Sequence, residues 1–423
     1  MSEQTHAQGQ GGAYSDLLTL LPDGTPVLNT GVHPMEQLLS MGAEEVLAAF
    51  KRSQQQDFLR VIAQLEEPGN PLNRLLGELR EIAEKEPHNR FSELALFRPG
   101  ALRELFIDLH NHVMDHPVWR HPFFLRIFEV DFNADELTLF AKHYFNQVKN
   151  TRQCVALALG RFSGVMPLPY GCLNERVSEL AQIVLAQLLA DEYGVGTHAV
   201  EDYPELHGLL GSTTHIVMYR NLFDGLGVTF QEQDVAMLPG VADNVLTQRL
   251  LAGDPRFTTV EALASVGLGM EWGVPEFFSL LLGGMIRWGW RNRAPLTQRH
   301  LIVFIAHVQY DVLHAISVML ITSFFNHEDD ALARIKQATN TLMASRHAMM
   351  GDLYRHIFGA DCPALGEIAL APEYHLRDRR IADALIEARA QVAPDRVIGG
   401  VAYRGSQTLP FVFSQGGVNH AEL

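Results

Sequence analysis

Cysteine is scarce in this chain. Three cysteines occur among 423 residues, at Cys154, Cys172 and Cys362. Because their number is odd and their spacing is wide, they predict neither a disulfide framework nor a CxxC metal pair. The pattern argues against a disulfide-stabilised secreted domain, and we expect a protein of the reducing cytoplasm.

Positive charge is also in short supply. Lys and Arg number 33 against 49 Asp and Glu, which gives a formal net charge of -16 at pH 7. An acidic surface repels the phosphates of nucleic acids and the head groups of anionic lipids. We therefore expect no nucleic-acid partner and no membrane partner.

A long unbroken apolar run is missing as well. The N-terminal stretch MSEQTHAQGQGGAYSD lacks the basic start and the apolar segment of a secretory signal. The most apolar stretches, 263–290 and 301–325, are interrupted by residues such as Glu271, His307 and His314. They predict buried helices rather than membrane spans. The glycines of GLGMEWG and LLGGM follow no strand, so close helix packing explains them better than a dinucleotide-binding loop.

Helical periodicity dominates the rest of the chain. Strand-like alternation is scarce before VIGGVAYRGSQTLPFVFSQ, which predicts a short hairpin or a docked tail. Asn133, with Glu136 three positions later, has the pattern of a capping box at a helix start. The stretch 328–358 is interpreted as a partly solvated helix whose Met residues fill the core. Helices are predicted at about 35–80, with a break at Pro68 to Pro71, and in the amphipathic segments 101–116 and 121–162. Further helices are predicted at about 173–193, 214–225, 258–270, 276–289, 297–325 and 328–358.

These patterns predict an all-α protein in three parts. A helical bundle is expected at 101–360, because amphipathic and fully apolar helices must bury their apolar faces against one another. A flexible N-terminus and a helical extension are expected at 1–100. An irregular C-terminal tail is expected at 361–423.

One apolar helix carries three side chains that can bind metals. In LIVFIAHVQYDVLHAISVMLITSFF, Asp311 and His314 follow His307 by four and seven positions, which places all three within roughly 60° on a helix. Burying a carboxylate and two imidazoles is unfavourable unless they are paired or bound to a metal. A metal ion would satisfy all three. The alternatives are that Asp311 is a structural carboxylate hydrogen-bonded to both histidines, or that this face is solvated.

Two other helices offer carboxylates in apolar settings. Glu192 falls on the leucine stripe of LNERVSELAQIVLAQLLADEYGVG and is predicted to point inward, whereas Asp191 lies nearer Gln187 as a cap or surface group. Glu271 lies within an apolar run, and Pro275 cannot donate a hydrogen bond to its carbonyl, so a helix break is expected there. Taken alone, each glutamate is equally well explained as an ordinary helix-end residue.

HVQYDVLH resembles the H-x3-D-x2-H helix of the haem-oxygenase-like dimetal oxidases, which are non-haem iron enzymes on the scaffold of haem oxygenase. HPFFLRIF and LTLFAKHYFNQV are similar to the family's opening helices, LLADEYGVG to its second metal-binding helix and GMEWG to its third Glu-bearing segment. These likenesses follow the family's order over roughly 110–325. The resemblance implies a haem-oxygenase-like bundle. It also implies these metal ligands: Glu192, Glu271, His307, Asp311 and His314.

The family pattern includes one further histidine, about twelve residues before a Leu-Gly pair. His215 in THIVMYRNLFDGLGV stands twelve residues before Gly227 and fits this pattern. Its distance from Glu192 along the chain is longer than the family usually shows. His207 and His198 therefore remain as alternatives.

The sequence departs from the family at one ligand. HYFNQVKNTRQC aligns Lys149 with the family's first carboxylate, and a protonated amine is not a usual iron ligand. Lys149 would then pair with a ligand carboxylate, hold an anionic group of the substrate, or mark a site in which one iron binds more tightly than the other. An alignment shifted by one turn would bring in Gln147, Asn150 or Arg152 instead.

The resemblance implies an enzyme that uses dioxygen and one or two Fe(II) ions, with Mn as the alternative metal, to oxidise a small metabolite. We expect an amine or an amino acid as substrate, in N-oxygenation, carbon–carbon cleavage or desaturation, often in natural-product pathways. Tyr310 would donate a hydrogen bond or an electron, or pack as an ordinary aromatic residue. An external electron donor and a homodimer are further expectations. The rival functions are a cofactor-independent enzyme of the thiamine-degrading or quinone-cofactor-forming type, and a non-catalytic helical binding protein.

Overall fold

The computed structural model describes residues 18–20, 26–28, 42–98, 100–162, 168–193, 215–294, 296–297, 299–363, 378–391, 396–398 and 401–403. Within these ranges the regular structure is helical apart from two short antiparallel strand pairs. The predicted all-α class is therefore confirmed.

The first half of the chain begins with a strand pair. Strand β1 (Leu18–Leu20) pairs antiparallel with β2 (Pro26–Leu28), and Thr19 lies opposite Val27. The helices that follow are α1 (Ala43–Glu66), α2 (Pro71–Ala83), α3 (Ala101–Met114), α4 (Pro122–Phe128), α5 (Ala134–Val148), α6 (Thr151–Gly160) and α7 (Asn174–Glu192).

The second half contains the most deeply buried helices. A π-helix (Ser265–Trp272) interrupts the α-helical pattern midway. The α-helices are α8 (His215–Gly225), α9 (Pro239–Gly253), α10 (Thr259–Ala264), α11 (Val274–Asn292), α12 (Ile302–Phe324), α13 (Ala331–Phe358) and α14 (Arg379–Gln391), and they precede strands β3 (Arg396–Ile398) and β4 (Val401–Tyr403).

Local sequence explains where several helices begin and end. The Asn133 side chain accepts a hydrogen bond from the Glu136 N–H at 3.0 Å, and the Glu136 carboxylate accepts one from the Asn133 N–H at 2.8 Å. This is the predicted capping box, and it starts α5. The expected break after Glu271 is present, because the π-helix ends at Trp272 and α11 begins at Val274. The antiparallel pairing of β3 with β4 confirms the predicted hairpin.

Helix α9 is absent from the predicted set. Every residue from Val241 to Gln248 is buried, including Asp243 and Asn244. The helix packs against α5, α6, α13 and α14. A helix enclosed on all sides shows no apolar stripe, so its sequence lacks the periodic signal by which amphipathic helices are recognised.

Two further predictions differ from the structure. The prediction of a partly solvated α13 holds near its ends, where Arg355 and His356 are exposed, but not over 338–351, where every residue is buried. Met343 and Met349 do fill the core there, as expected. The tail after 360, predicted to be irregular, contains α14, whose Ile381 and Leu385 are buried. An ion pair of 2.5 Å between Arg380 and Glu261 also ties α14 to α10.

The N-terminal extension packs directly on the bundle. The ring centre of Phe58 in α1 lies 4.2 Å from that of Trp272 at the end of the π-helix, in a tilted contact, and 6.4 Å from that of Phe106 in α3, in an edge-on contact. The buried Gln54 amide donates a hydrogen bond to the Trp272 carbonyl at 3.1 Å. Helix α1 is therefore part of the environment of the residue that follows Glu271.

Glycines allow the central helices to approach closely. A Cβ on Gly267 would lie 2.8 Å from the Val318 side chain of α12. A Cβ on Gly269 would overlap Leu342 of α13, and one on Gly284 would overlap the backbone carbonyl of Ile127 in α4. Close helix packing is thus confirmed as the role of these glycines. No helix in the described part of the chain combines the length and apolarity that a membrane crossing needs.

The glycine contacts predict unequal effects of adding one methyl group. Gly284→Ala should lower the free energy of unfolding by about 1 to 3 kcal/mol, because the new Cβ meets backbone that cannot rotate away. Gly77→Ala is the matched control, since no atom lies within 4 Å of its Cβ position in α2. The control should raise stability by about 0.5 to 1 kcal/mol. Urea unfolding would measure both, and equal effects of the two substitutions would contradict the packing argument.

Candidate metal centre

Glu192 and His215 meet where α7 ends and α8 begins. The Glu192 carboxylate is 3% exposed, as its place on the leucine stripe predicts, and its Oε1 lies 3.0 Å from His215 Nδ1. Burial acts to raise the pKa of Glu192, but His215 and His307 outweigh it and the net pKa is lowered. Burial acts to lower the pKa of His215, and Glu192 outweighs it so that the pKa is raised. The two groups therefore form a buried carboxylate–imidazolium pair, and a metal ion would replace the proton between them.

His307 approaches this pair from α12. Its Nδ1 lies 2.6 Å from the Val303 carbonyl, one turn earlier. Because a carbonyl can only accept, Nδ1 donates and Nε2 keeps its lone pair. Burial is the main cause that lowers the pKa of His307 to about 3, so the ring is neutral. A neutral imidazole whose second nitrogen is fixed by a carbonyl is the usual state of a metal-binding histidine.

The three side chains fit a single transition-metal ion. One ligand atom from each of Glu192, His215 and His307 lies within 4.8 Å of the others. Two donors at about 2.1 Å from a common metal stand about 3 to 4 Å apart. A small inward movement of the side chains would therefore complete the coordination. Two histidines and one carboxylate also make up the facial triad of non-haem Fe(II) oxygenases, which leaves positions open for other ligands.

His314 lies between two carboxylates, beside the group formed by Glu192, His215 and His307. Its Nε2 is 3.2 Å from Asp191 of α7, and its Nδ1 is 3.5 Å from Glu271 of the π-helix. Asp191 also accepts a hydrogen bond from Gln187 at 3.0 Å, which agrees with its expected position near Gln187. Its contact with His314 was not expected from the sequence.

Glu271 reaches the site from the π-helix. Wider helical turns of this kind occur often at functional sites, because they turn side chains away from the regular α-helical positions. The Glu271 side chain is 4% exposed. Burial is the main cause that raises its pKa, although His314 acts in the opposite direction. A metal ion nearby would offset this unfavourable burial.

A small cavity adjoins the two groups. Glu192, His215, Glu271 and His307 all face it. The space open to the centre of a water molecule measures about 30 Å³, which is room for about two waters. The site can therefore hold a metal ion and small ligands, and a larger substrate requires the walls to move.

The side chains of some predicted site residues are not among those that the structure describes. The side chains of Asp311 and Tyr310 belong to 308–313, for which only the helical backbone of α12 is described. The two alternatives to His215, His198 and His207, fall in 194–214, outside the described residues. Their roles stay predictions.

Lys149 turns away from the cavity. Its ammonium group lies 2.7 Å from Asp234 and 4.7 Å from the centre of the Phe145 ring. Asp234 is not among the predicted ligands. The nearby side chains that face the cavity are those of Gln147 and Thr151, and Gln147 is one of the residues that a one-turn shift of the alignment brings in.

The Gln147 amide is held at both ends. Its oxygen accepts a hydrogen bond from Asn244 at 2.7 Å, and its nitrogen donates one to Gln248 at 2.9 Å. Both partners belong to α9, which explains why that helix buries polar side chains. Because the amide is already engaged, Gln147 is poorly placed to take over the role of a metal-binding carboxylate.

Sequence reasoning missed two further residues of the cavity wall. Tyr144 on α5 and Arg346 on α13 both face the cavity and are buried. Burial raises the pKa of Tyr144, so its hydroxyl stays protonated. A charged residue between small and apolar neighbours, as in LMASRHAMM, was the signal for Arg346. A partly solvated helix would place this charge in water, so the predicted solvation of the helix did not point to the cavity.

Comparisons with known proteins identify no family for this chain. No protein-family model matches it, and no curated protein matches it. Among solved structures, it is similar to a crystal structure of a TenA homologue from Pseudomonas syringae pv. tomato. That match has 12% sequence identity and a TM-score of 0.44, and it covers 64% of this chain and 97% of the other. At this level of similarity, nothing about the site or the activity follows from the match.

The geometry predicts that His215 is needed for metal binding. His215→Ala should weaken Fe(II) binding by more than about 100-fold, since changes to residues that only support ligands already cost 10- to 100-fold. The helical content should stay the same because His215 is the first residue of α8. Elemental analysis after anaerobic loading, together with circular dichroism, would measure both.

His356→Ala is the matched control, because His356 is exposed on α13 and faces no part of the cavity. It should keep the iron content of the wild type. An unchanged iron content in His215→Ala would refute the assignment of His215.

Proposed function

We propose that this chain is a non-haem metal enzyme that uses dioxygen to oxidise a small metabolite, on a haem-oxygenase-like helical bundle. The observation that carries the proposal is the convergence of Glu192, His215 and His307 inside the bundle. Glu271, His314 and Asp311 complete the set that the family resemblance implies. The proposed ion is Fe(II), with Mn as the alternative, because mixed imidazole and carboxylate ligation suits both.

Bound Fe(II) would supply the electrons and the open coordination positions that dioxygen chemistry needs. The protein itself orients the metal-binding side chains and excludes water from the cavity. Val303 fixes the ring of His307 through its carbonyl, and Phe278 packs edge-on against that ring at 4.8 Å. Together with Met270, Phe278 forms an apolar wall of the cavity. Such a wall limits the access of bulk water to reactive species.

Tyr144 supplies a hydrogen-bond donor on the cavity wall. Its hydroxyl stays protonated near neutral pH because burial raises its pKa. A donor that keeps its proton can hold an oxygen atom of a substrate or of dioxygen in a fixed orientation. Tyr144 can therefore hold a ligand in place, and the role predicted for Tyr310 stays a prediction.

A thiol-dependent, cofactor-independent reaction receives less support. Cys154 is the cysteine nearest this region, and it is fully buried. Burial raises the pKa of its thiol to about 12. A nucleophilic cysteine instead needs a lowered pKa and partial exposure. The metal enzyme is therefore the function that the described residues support best.

The proposed function predicts substrate-dependent oxygen consumption. Fe(II)-loaded protein should consume dioxygen faster with its substrate than without it, because the substrate completes the site and displaces water. Anaerobic loading followed by stopped-flow mixing with oxygenated panels of amines and amino acids would test this. The zinc-loaded protein is the control, since zinc has no accessible redox change. Equal turnover of a substrate by zinc-loaded or metal-free protein would favour the cofactor-independent function.

The cavity also predicts unequal binding of two irons. The wall formed by α5 and α6 presents Gln147 and Thr151, so it offers no carboxylate for a second cation. One Fe(II) should bind tightly, and the second only weakly or together with substrate. Iron titration followed by Mössbauer spectroscopy would count the sites, and two equally tight irons would refute the asymmetry.

Thr151→Glu tests the cause of this asymmetry. Thr151 is the first residue of α6, where a carboxylate is favourable. The new charge should strengthen the second site by about tenfold or more, since charges about 4 Å apart interact by several kcal/mol before relaxation. Gln153→Glu adds the same charge two residues later on the exposed face of α6 and should leave iron binding unchanged. Equal iron affinities in the two variants would contradict the electrostatic explanation.

A further inference from the structure

Arg346 is a buried arginine that faces the cavity. It lies near the middle of α13, its side chain is 3% exposed, and it lines the cavity together with Glu192, His215 and His307. Arginines are almost never fully buried unless they are paired. Its burial therefore needs an explanation.

The described residues provide no anion for this guanidinium. Its one hydrogen-bond contact is a long one of 3.9 Å to the sulfur of Met343, and it lies 6.0 Å from the centre of the Trp119 ring. No carboxylate among the described side chains forms an ion pair with it. Burial lowers its pKa, and Tyr144 is the group that acts in the opposite direction. Neither Glu192 nor Glu271 forms an ion pair with Arg346, although all three residues line the same cavity.

A buried charge without a partner is unfavourable unless a ligand supplies the missing one. Arginine presents a planar fork of donors that matches the two oxygens of a carboxylate. The Tyr144 hydroxyl adds a neutral donor on the same wall. A carboxylate is also small enough for a cavity with about 30 Å³ of space open to water centres.

We propose that Arg346 binds the carboxylate of the substrate, and that the substrate is a small carboxylic acid, with amino acids included in the class. This inference rests on the proposed function, because it assumes that the substrate reacts in this cavity. Arg346 would hold the acid end, and the rest of the molecule would extend toward Glu192, His215 and His307. Arg346 thus positions the substrate and selects for substrates that carry a carboxylate.

The experiment measures binding of acetate and glycine to the full-length protein by isothermal titration calorimetry. Acetamide and glycinamide are the counterparts that lack the negatively charged carboxylate. The metal-free protein is used first, so that no iron can bind the carboxylate. We expect both carboxylates to bind the wild type, and Arg346→Met to weaken this binding by about 10- to 100-fold. Arg346→Lys should restore part of it, because the charge is kept and the planar fork is lost.

Arg334→Met is the matched control on the same helix. Its guanidinium pairs with Asp330 at 2.8 Å near the surface, so carboxylate binding should equal that of the wild type. Three results would each overturn the proposal: no carboxylate binding to the wild type, equal binding to Arg346→Met, or amides that bind as tightly as acids. Since none of these measurements needs iron or dioxygen, failure of the oxidase function would leave this result standing.

A stability measurement separates substrate binding from a structural role. If Arg346 has no partner in the ligand-free protein, Arg346→Met should leave the melting temperature unchanged or raise it, because a buried charge is removed. Acetate should raise the melting temperature of the wild type but not that of the variant. A lower melting temperature and reduced helical content in Arg346→Met would show that Arg346 supports the fold, and would overturn the proposal.

Discussion

The burial of Glu192 against His215 is the constraint on which the site depends. A carboxylate in an apolar interior is strongly disfavoured without a partner. The 3.0 Å contact with His215 offsets that cost and joins the end of α7 to the start of α8. Residues 193 to 214 of the chain separate these two groups, so the contact fixes where the chain returns to the bundle. His307 of α12 lies beside this pair as the third donor.

Close packing of the central helices brings Glu271 and His314 near the group formed by Glu192, His215 and His307. Gly267 and Gly269 let the π-helix lie close to α12 and α13. The close approach brings Glu271 to 3.5 Å from His314. Bulkier residues at the two glycines would separate the helices and would move the carboxylate away from the imidazole. The glycines of GLGMEWG therefore serve the site through packing, without touching any ligand.

Sequence patterns predicted those parts of the fold and site that depend on a single helix. The inward direction of Glu192 follows from its leucine stripe, and the helical break beside Glu271 follows from Pro275. Features that depend on several helices were not predictable in this way. Helix α9 has no stripe because neighbours surround it, and the contact of Asp191 with His314 depends on how α7 meets α12. The ion pair of Lys149 with Asp234 is likewise a long-range contact, which an alignment to a motif could not reveal.

Charge balance connects the metal site with Arg346. Among the described side chains that face the cavity, Glu192 and Glu271 can contribute at most two negative charges. Burial favours the neutral form of Glu271, so the sum is smaller when no cation is near. A divalent ion would add two positive charges, and Arg346 adds a third. The described groups that face the loaded cavity would then carry an excess of positive charge in a setting where water screens it poorly. An anionic ligand would correct this imbalance and a cationic one would increase it, so an amino acid would have to enter with its carboxylate toward Arg346.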